Sequence, residues 1–289
     1  MRLLLVLGVL LATTACGSLT NDSGKVQVAA GFYPLAWAAQ QIGGHRVEVT
    51  NLTQPGAEPH DLELTIKETV AIAEADVVVY EKGFQPAVDD SVAQNAQGAT
   101  LDAGSVAHLQ PFADQPDQTD PHFWQDPLRL ADVGDALARE LGKADPRHRA
   151  AYAANARALR HTLVRLDHEY ADGLAHCARH TIVTTHDAFG YLGKYGLSVE
   201  PITGLSPGAE PTPADLSRLQ DLIRTDGITT VFSETLVSAK TAQTLAGDLG
   251  IRSAVLDPIE GLSDRTAGQD YLSLMHHNLH ALEEADGCR

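Results

Sequence analysis

Four stretches of this sequence each offer one strong metal-ligating side chain in a turn. They are PGAEPHDLE around His60, DPHFWQDP around His122, TTHDAFGYL around His186 and LDPIEGL around Asp257. Three imidazoles and one carboxylate are a donor set suited to four-coordinate Zn²⁺. A single such histidine would be read as a satisfied loop residue; four matching segments favour a shared site. The second stretch, Asp120 to Pro127, is the stiffest. Asp126 is a good N-cap and Pro127 suits the first helical position, so His122 is predicted on a rigid loop against a helix N-terminus.

These side chains need elements to carry them. Val26 to Ala30, Arg46 to Leu52, Val77 to Tyr80 and Thr100 to Asp102 read as strands. Tyr33 to Ile42, Ile66 to Ala75 and Pro86 to Gln97 read as the helices between them. Ala103 to Thr119 reads as a polar, acidic loop. Leu130, Val133, Leu137 and Leu141 then step at helical spacing, with Gly142 as the expected stop. Asp145-Pro146 opens a helix to about Leu174, with Tyr152, Leu159, Leu163, Leu166 and Tyr170 on one face. At 1.5 Å per residue it would span about 40 Å, enough to act as a rigid connector.

The alternation then repeats. Strands are expected at Thr181 to Thr185, Leu197 to Pro201, Thr229 to Phe232 and Arg252 to Leu256. Helices are expected at Ala188 to Lys194, Pro213 to Thr225, Ser238 to Leu249 and Tyr271 to Ala285. The two halves even share a phrase, PGAEPH at 55–60 and PGAEPT at 207–212. The fold class is therefore α/β: two similar lobes with mostly parallel sheets, joined by one long helix. The expected boundaries are 25–142, 143–177 and 178–289. Open parallel sheets bind ligands beyond the C-terminal ends of their strands, which puts the four ligands in the cleft between lobes.

At this point the four segments resemble, in order, the ligand motifs of the zinc/manganese solute-binding proteins of bacterial ABC importers. PGAEPHDLELT, TDPHFWQDP, TTHDAFGYLGKYGL and LDPIEGL carry the resemblance, and it covers nearly the whole chain. It implies two lobes on a rigid helix and one metal between them, held by His60, His122, His186 and Asp257. It also implies a membrane permease as partner, a monomer, and no catalytic residues. SETLVS around Glu234 resembles a family segment near the site, without making Glu234 a ligand. Manganese members typically carry a glutamate at the third position; here it is His186, which favours zinc over Mn²⁺. Many zinc members have a histidine-rich loop before the second ligand. In this chain the corresponding stretch holds only His108, so no accessory metal-collecting loop is expected.

Composition agrees with this. The chain of 289 residues is long enough for two domains, and its net charge of −17 disfavours nucleic acid and anionic membrane surfaces as partners. Arg2, the apolar run Leu3 to Ala12 and the small residues before Cys16 read as an export signal over 1–15. Cys16 is then the expected lipidation site, followed by a polar tether over 16–24. This places the mature protein on the outer face of the cytoplasmic membrane. Cys177 and Cys288 remain, and an even pair in an exported protein suggests a disulfide, the alternative being two unrelated thiols.

Rival readings come from other classes. His45, His148, His161, His168, His176 and His180 are expected to be solvated. His276, His277 and His280 put two residues at i, i+4 spacing on the last helix, with no third partner in sequence. A zinc hydrolase would need three ligands, an open position and a base. HExxH and GxSxG are absent, and Glu58 and Asp187 are more simply read as caps or ligand supports. A metal-binding adhesin would share the fold and the site, so only a transport measurement separates it.

Overall fold

The computed structural model describes residues 24–113 and 115–289. The signal segment, Cys16 and Asp114 lie outside the described residues. Among the described residues no helix is long and apolar enough to cross a membrane.

The first half builds one four-stranded sheet. Strands β1 (Val26–Ala30), β2 (Val47–Asn51), β3 (Val77–Tyr80) and β4 (Ala99–Asp102) lie in the order β2-β1-β3-β4, all parallel. Helices α1 (Tyr33–Gly43), α2 (Ile66–Glu74) and α3 (Pro86–Asn95) make the crossovers. The central strands β1 and β3 are Val- and Ala-rich and almost wholly buried, as strands covered on both faces must be. A short helix α4 (Ala103–Ala107) begins the stretch expected to be a loop. Asp102 caps it by accepting from the Gly104 N–H, a local bond that hydrophobic periodicity does not reveal.

The second half repeats the plan. Strands β5 (Thr181–Thr184), β6 (Ser198–Pro201), β7 (Thr230–Ser233) and β8 (Arg252–Val255) form a parallel sheet in the order β6-β5-β7-β8. The segment expected as a helix at Ala188 to Lys194 is instead a 3-10 turn at Gly190–Tyr195, ended by Gly196 at φ 89°. The identical strand orders support two lobes of one design.

Helices α5 (Pro127–Ala144) and α6 (Arg149–Leu174) connect the halves. Asp126 caps α5 and Pro127 opens it, as the sequence implies, but the helix runs through Gly142 to Ala144. Its apolar stripe at Leu130, Val133, Leu137 and Leu141 is fully buried. The 26 residues of α6 extend about 39 Å at 1.5 Å each. Tyr152, Leu159, Leu163, Leu166 and Tyr170 are all buried along it. One continuous core joins these residues to the apolar face of α1 and to α9 (Tyr271–Asp286). Helices α7 (Pro213–Asp226) and α8 (Lys240–Leu249) cover the second sheet through a smaller cluster around Leu219, Val231 and Leu245. Cys177 and Cys288 are bonded, fastening the residue just past α6 to the end of the chain.

Candidate metal centre

In each half, side chains beyond the C-terminal edge of a parallel sheet converge on one point. His60, His122, His186 and Glu260 each offer one donor atom there, and all four atoms lie within 4.8 Å of one another. Of the four residues the sequence points to, His60, His122 and His186 converge here and Asp257 does not; Glu260 brings the fourth donor atom.

The turn after β8 explains the exchange. Asp257 Oδ1 accepts from the Ile259 N–H at 2.7 Å, and its Oδ2 accepts from the Thr235 hydroxyl at 2.8 Å. Asn278 on α9 grips the Asp257 backbone on both sides, at 2.9 Å and 2.6 Å. Both carboxylate oxygens of Asp257 are thus used to build the turn. Ile259 adopts φ 61° and is fully buried, an unfavourable conformation for a β-branched residue. It is held there because Pro258 O accepts from Trp124 Nε1 at 2.7 Å and from Gln125 Nε2 at 2.5 Å. The turn directs Glu260 inward. One local signal was available: an Asp before Pro commonly spends its carboxylate on the N–H two residues on.

His60 sits on the loop after β2. Gln85 Nε2 donates to Thr53 Oγ1 at 2.9 Å and to Pro59 O at 3.3 Å, and Thr53 donates to Gly31 O at 2.8 Å. Glu58 accepts from the backbone N–H groups of His60 and Asp61, so it caps this turn. Phe84 packs edge-on against the His60 ring at 4.7 Å. One bond, Gly56 N–H to Leu262 O at 2.7 Å, ties this loop to the turn that carries Glu260.

His122 belongs to the first half in sequence, yet it is stitched to the second. Tyr191 donates to Asp120 O at 2.9 Å, Tyr271 donates to Trp124 O at 2.5 Å, and Lys194 pairs with Asp126 at 2.7 Å. Asp120 Oδ1 accepts from both the backbone N–H of His122 at 2.9 Å and Nδ1 at 2.8 Å. His186 follows β5 and has the matching support. Glu234, just past β7, accepts from its backbone N–H at 3.1 Å and from Nδ1 at 2.7 Å. A carboxylate on Nδ1 fixes the ring orientation and turns Nε2 to the centre, where it coordinates a metal once it has given up its proton.

The distances at the centre fit a metal site. Glu260 Oε1 lies 3.3 Å from His60 Nε2, 3.2 Å from His122 Nε2 and 3.3 Å from His186 Nε2. Donors around a tetrahedral ion with bonds of about 2.0–2.1 Å stand about 3.3 Å apart. His122 Nε2 and His186 Nε2 are buried and make no hydrogen bond of acceptable geometry. Orphaned buried nitrogens aimed at one point fit a cation.

Electrostatics point the same way. Burial alone would raise the Glu260 carboxyl, but the three imidazoles hold it well below the usual range. Burial would lower His186, but Glu234 and Glu260 outweigh it and push it up to about 10. His122 is raised despite its burial, through Asp120 and Glu260. The centre therefore favours positive charge, whether carried by protons or by a metal.

The sequence model of the family described as the periplasmic component A of zinc-uptake complexes, ZnuA, matches residues 28–285. The chain belongs to the ZnuA family. The zinc-binding lipoprotein AdcA of Streptococcus pneumoniae is 31% identical over 289 residues, covering 93% of this chain. The chain spans only 58% of that relative's length. The high-affinity zinc uptake system protein ZnuA of Bacillus subtilis is 30% identical, with 93% of this chain and 90% of that protein covered. Among solved structures, the Zn(II)-bound ZnuA-like domain of pneumococcal AdcA superposes with a TM-score of 0.79 at 32% identity. That match covers 91% of this chain and 99% of that domain. The two-lobed α/β architecture is thus that of the ZnuA family.

The other candidates fall outside this centre. His276 pairs with Glu169 at 2.7 Å and His277 contacts Gln269 at 3.1 Å, both on the exposed side of α9. Among the described residues, the four-residue cluster is the one group of three or more His, Cys, Asp or Glu placed to hold a metal.

Proposed function

We propose that this protein is the extracytoplasmic solute-binding component of an ABC importer, capturing Zn²⁺ between its lobes and passing it to a membrane permease. The ligands are His60, His122, His186 and Glu260. The observation that carries this reading is the single Glu260 oxygen placed 3.2–3.3 Å from three imidazole Nε2 atoms. Family membership and the zinc-binding names of its relatives support the choice of metal.

The donor chemistry favours zinc over manganese. Three borderline-soft nitrogens and one carboxylate suit a small tetrahedral ion, whereas Mn²⁺ prefers oxygen donors. The four donors are nearly enclosed, as in sites that hold a metal rather than use it on a substrate. A role in binding and delivery, without catalysis, accords with that enclosure. We further assign residues 1–15 to an export signal, Cys16 to a lipid anchor and 16–24 to the tether. The lobes span 25–142 and 178–289, joined by a helical segment over 143–177, and the mature protein acts as a monomer.

The experiment is metal analysis of the purified protein together with growth of a deletion strain. One equivalent of zinc and failure under zinc chelation, reversed by added zinc, are expected. Rescue by manganese alone would overturn the metal assignment. Normal growth and uptake with retained zinc binding would favour an adhesin.

A further inference from the structure

Gly190 ends the run HDAFG that begins at His186, and it opens the 3-10 turn Gly190–Tyr195 of the second lobe. A Cβ on Gly190 would stand 2.6 Å from Asp120 Oδ2 and 3.7 Å from Asp120 Cγ. The first distance is far inside van der Waals contact. The backbone does not ask for glycine here, because Gly190 is not among the positive-φ residues. The space is asked for by Asp120, which is 1% exposed. Its Oδ1 accepts from both the backbone N–H and Nδ1 of His122.

Both sides of this contact are pinned. The Asp120 N–H donates to Gln110 O at 2.8 Å, and Asp120 O accepts from the Tyr191 hydroxyl at 2.9 Å. Across from it, Tyr191 and Leu192 are buried, and Lys194 pairs with Asp126 and Asp167 at 2.7 Å each. Tyr195 donates to Asp167 at 2.7 Å as well. A methyl group inserted between two packed, tethered elements displaces whatever is held least. That is Asp120 Oδ2, which makes no hydrogen bond. Oδ1 belongs to the same rigid carboxylate, so turning Oδ2 away draws Oδ1 off His122. Gly193 in the same turn differs: a Cβ there meets nothing within 4 Å, and its φ is not positive either.

We propose that Gly190 is a positioning residue of the metal centre: its missing side chain lets the second lobe's turn close on Asp120 while the Asp120 carboxylate stays aimed at His122. The second lobe thereby sets the direction of a ligand that the first half of the sequence carries. Any side chain at position 190 would misdirect His122 without touching it. The consequence for binding rests on the zinc reading above; the packing of Gly190 on Asp120 does not.

Two alanine substitutions in one turn test it. Loss of a ligand's support changes metal affinity by about 10–100-fold, so Gly190→Ala should bind zinc that much more weakly and Gly193→Ala within about threefold of wild type. In metal-free protein the His122 Nδ1–H resonance should shift or broaden in Gly190→Ala and stay unchanged in Gly193→Ala. In an Asp120→Ala background the clashing oxygen is gone, so adding Gly190→Ala should cost no more than about threefold further. The same double variant serves if Gly190→Ala alone does not fold: it should then fold with the urea midpoint of Asp120→Ala. Wild-type affinity with an unchanged resonance in Gly190→Ala, an undiminished loss in the Asp120→Ala background, or failure of that rescue overturns the proposal. If wild type itself fails to bind zinc, the zinc reading fails while the resonance and the rescue still decide Gly190.

Discussion

Glu234 Oε1 accepts two hydrogen bonds from one residue, the backbone N–H and the Nδ1–H of His186. Asp120 Oδ1 does the same for His122. Each histidine thus has its ring orientation set by one buried carboxylate oxygen that accepts from both its backbone N–H and its Nδ1–H. In Glu234→Ala the ring loses its orienting partner, and zinc affinity should fall about 10–100-fold, measured by competition with a chelator. Glu234→Gln, which keeps an acceptor oxygen, should retain much of that affinity.

Glu260 and Asp257 differ by three positions and should differ in kind. Glu260→Ala removes a donor atom and leaves three imidazoles, so zinc affinity should drop by orders of magnitude with the metal-free fold intact. Asp257→Ala removes the acceptor that shapes the turn, costing about 1–3 kcal/mol of stability through its unpaired partners. Its effect on zinc should be indirect and smaller. If Asp257→Ala abolishes binding while Glu260→Ala spares it, Asp257 holds the metal.

This pair also marks what sequence can disclose. The strand and helix pattern, the long connector and the three histidines were legible because periodicity and motif context are local. The disulfide pairing followed from a count. Glu260 was not, because its orientation depends on a buried Ile259 at positive φ, pinned by Trp124 and Gln125 from over a hundred residues away. Likewise, His122 reads as a first-lobe residue, while its bonds to Tyr191, Lys194 and Tyr271 attach the loop to the second. Long-range partners decide such matters, and periodicity does not encode them.

The Cys177–Cys288 bond closes a loop of 111 residues. Chain-entropy arguments and removal of native bridges put such a link at about 2–5 kcal/mol. The double variant Cys177→Ser, Cys288→Ser should lower the urea midpoint accordingly while leaving zinc affinity unchanged. An unchanged midpoint would show that the link adds nothing to stability.

Asp286 lies beside that bridge, with Oδ2 buried and unpartnered. Burial, opposed only in part by Arg179, pushes its carboxyl from 3.8 up to about 7. The folded state therefore holds this proton more tightly than the unfolded chain. Its contribution favours folding most below about pH 4 and is lost as pH rises to about 7. In metal-free protein Asp286→Asn should be more stable than wild type at pH 8 and no more stable at pH 4. Equal urea midpoints for the two proteins at pH 8 would contradict this.

The histidine charges set the pH response of metal binding. Imidazolium groups with ordinary values would lose their protons near pH 6.5, so zinc affinity would level off above it. In the metal-free fold His186 is held up to about 10, and His122 is also raised. The raised value means the protonated ring stabilises the metal-free fold fully below 6.5, and that stabilisation is lost as pH rises through about 10. Zinc must displace the same proton, so affinity should keep climbing with pH between those limits. Calorimetry at pH 8 in buffers of different ionisation enthalpy should show at least about one proton released per zinc bound. Binding without proton release at pH 8 would mean that the metal-free histidines are already neutral, and that Glu234 and Glu260 do not hold the charge this geometry assigns them.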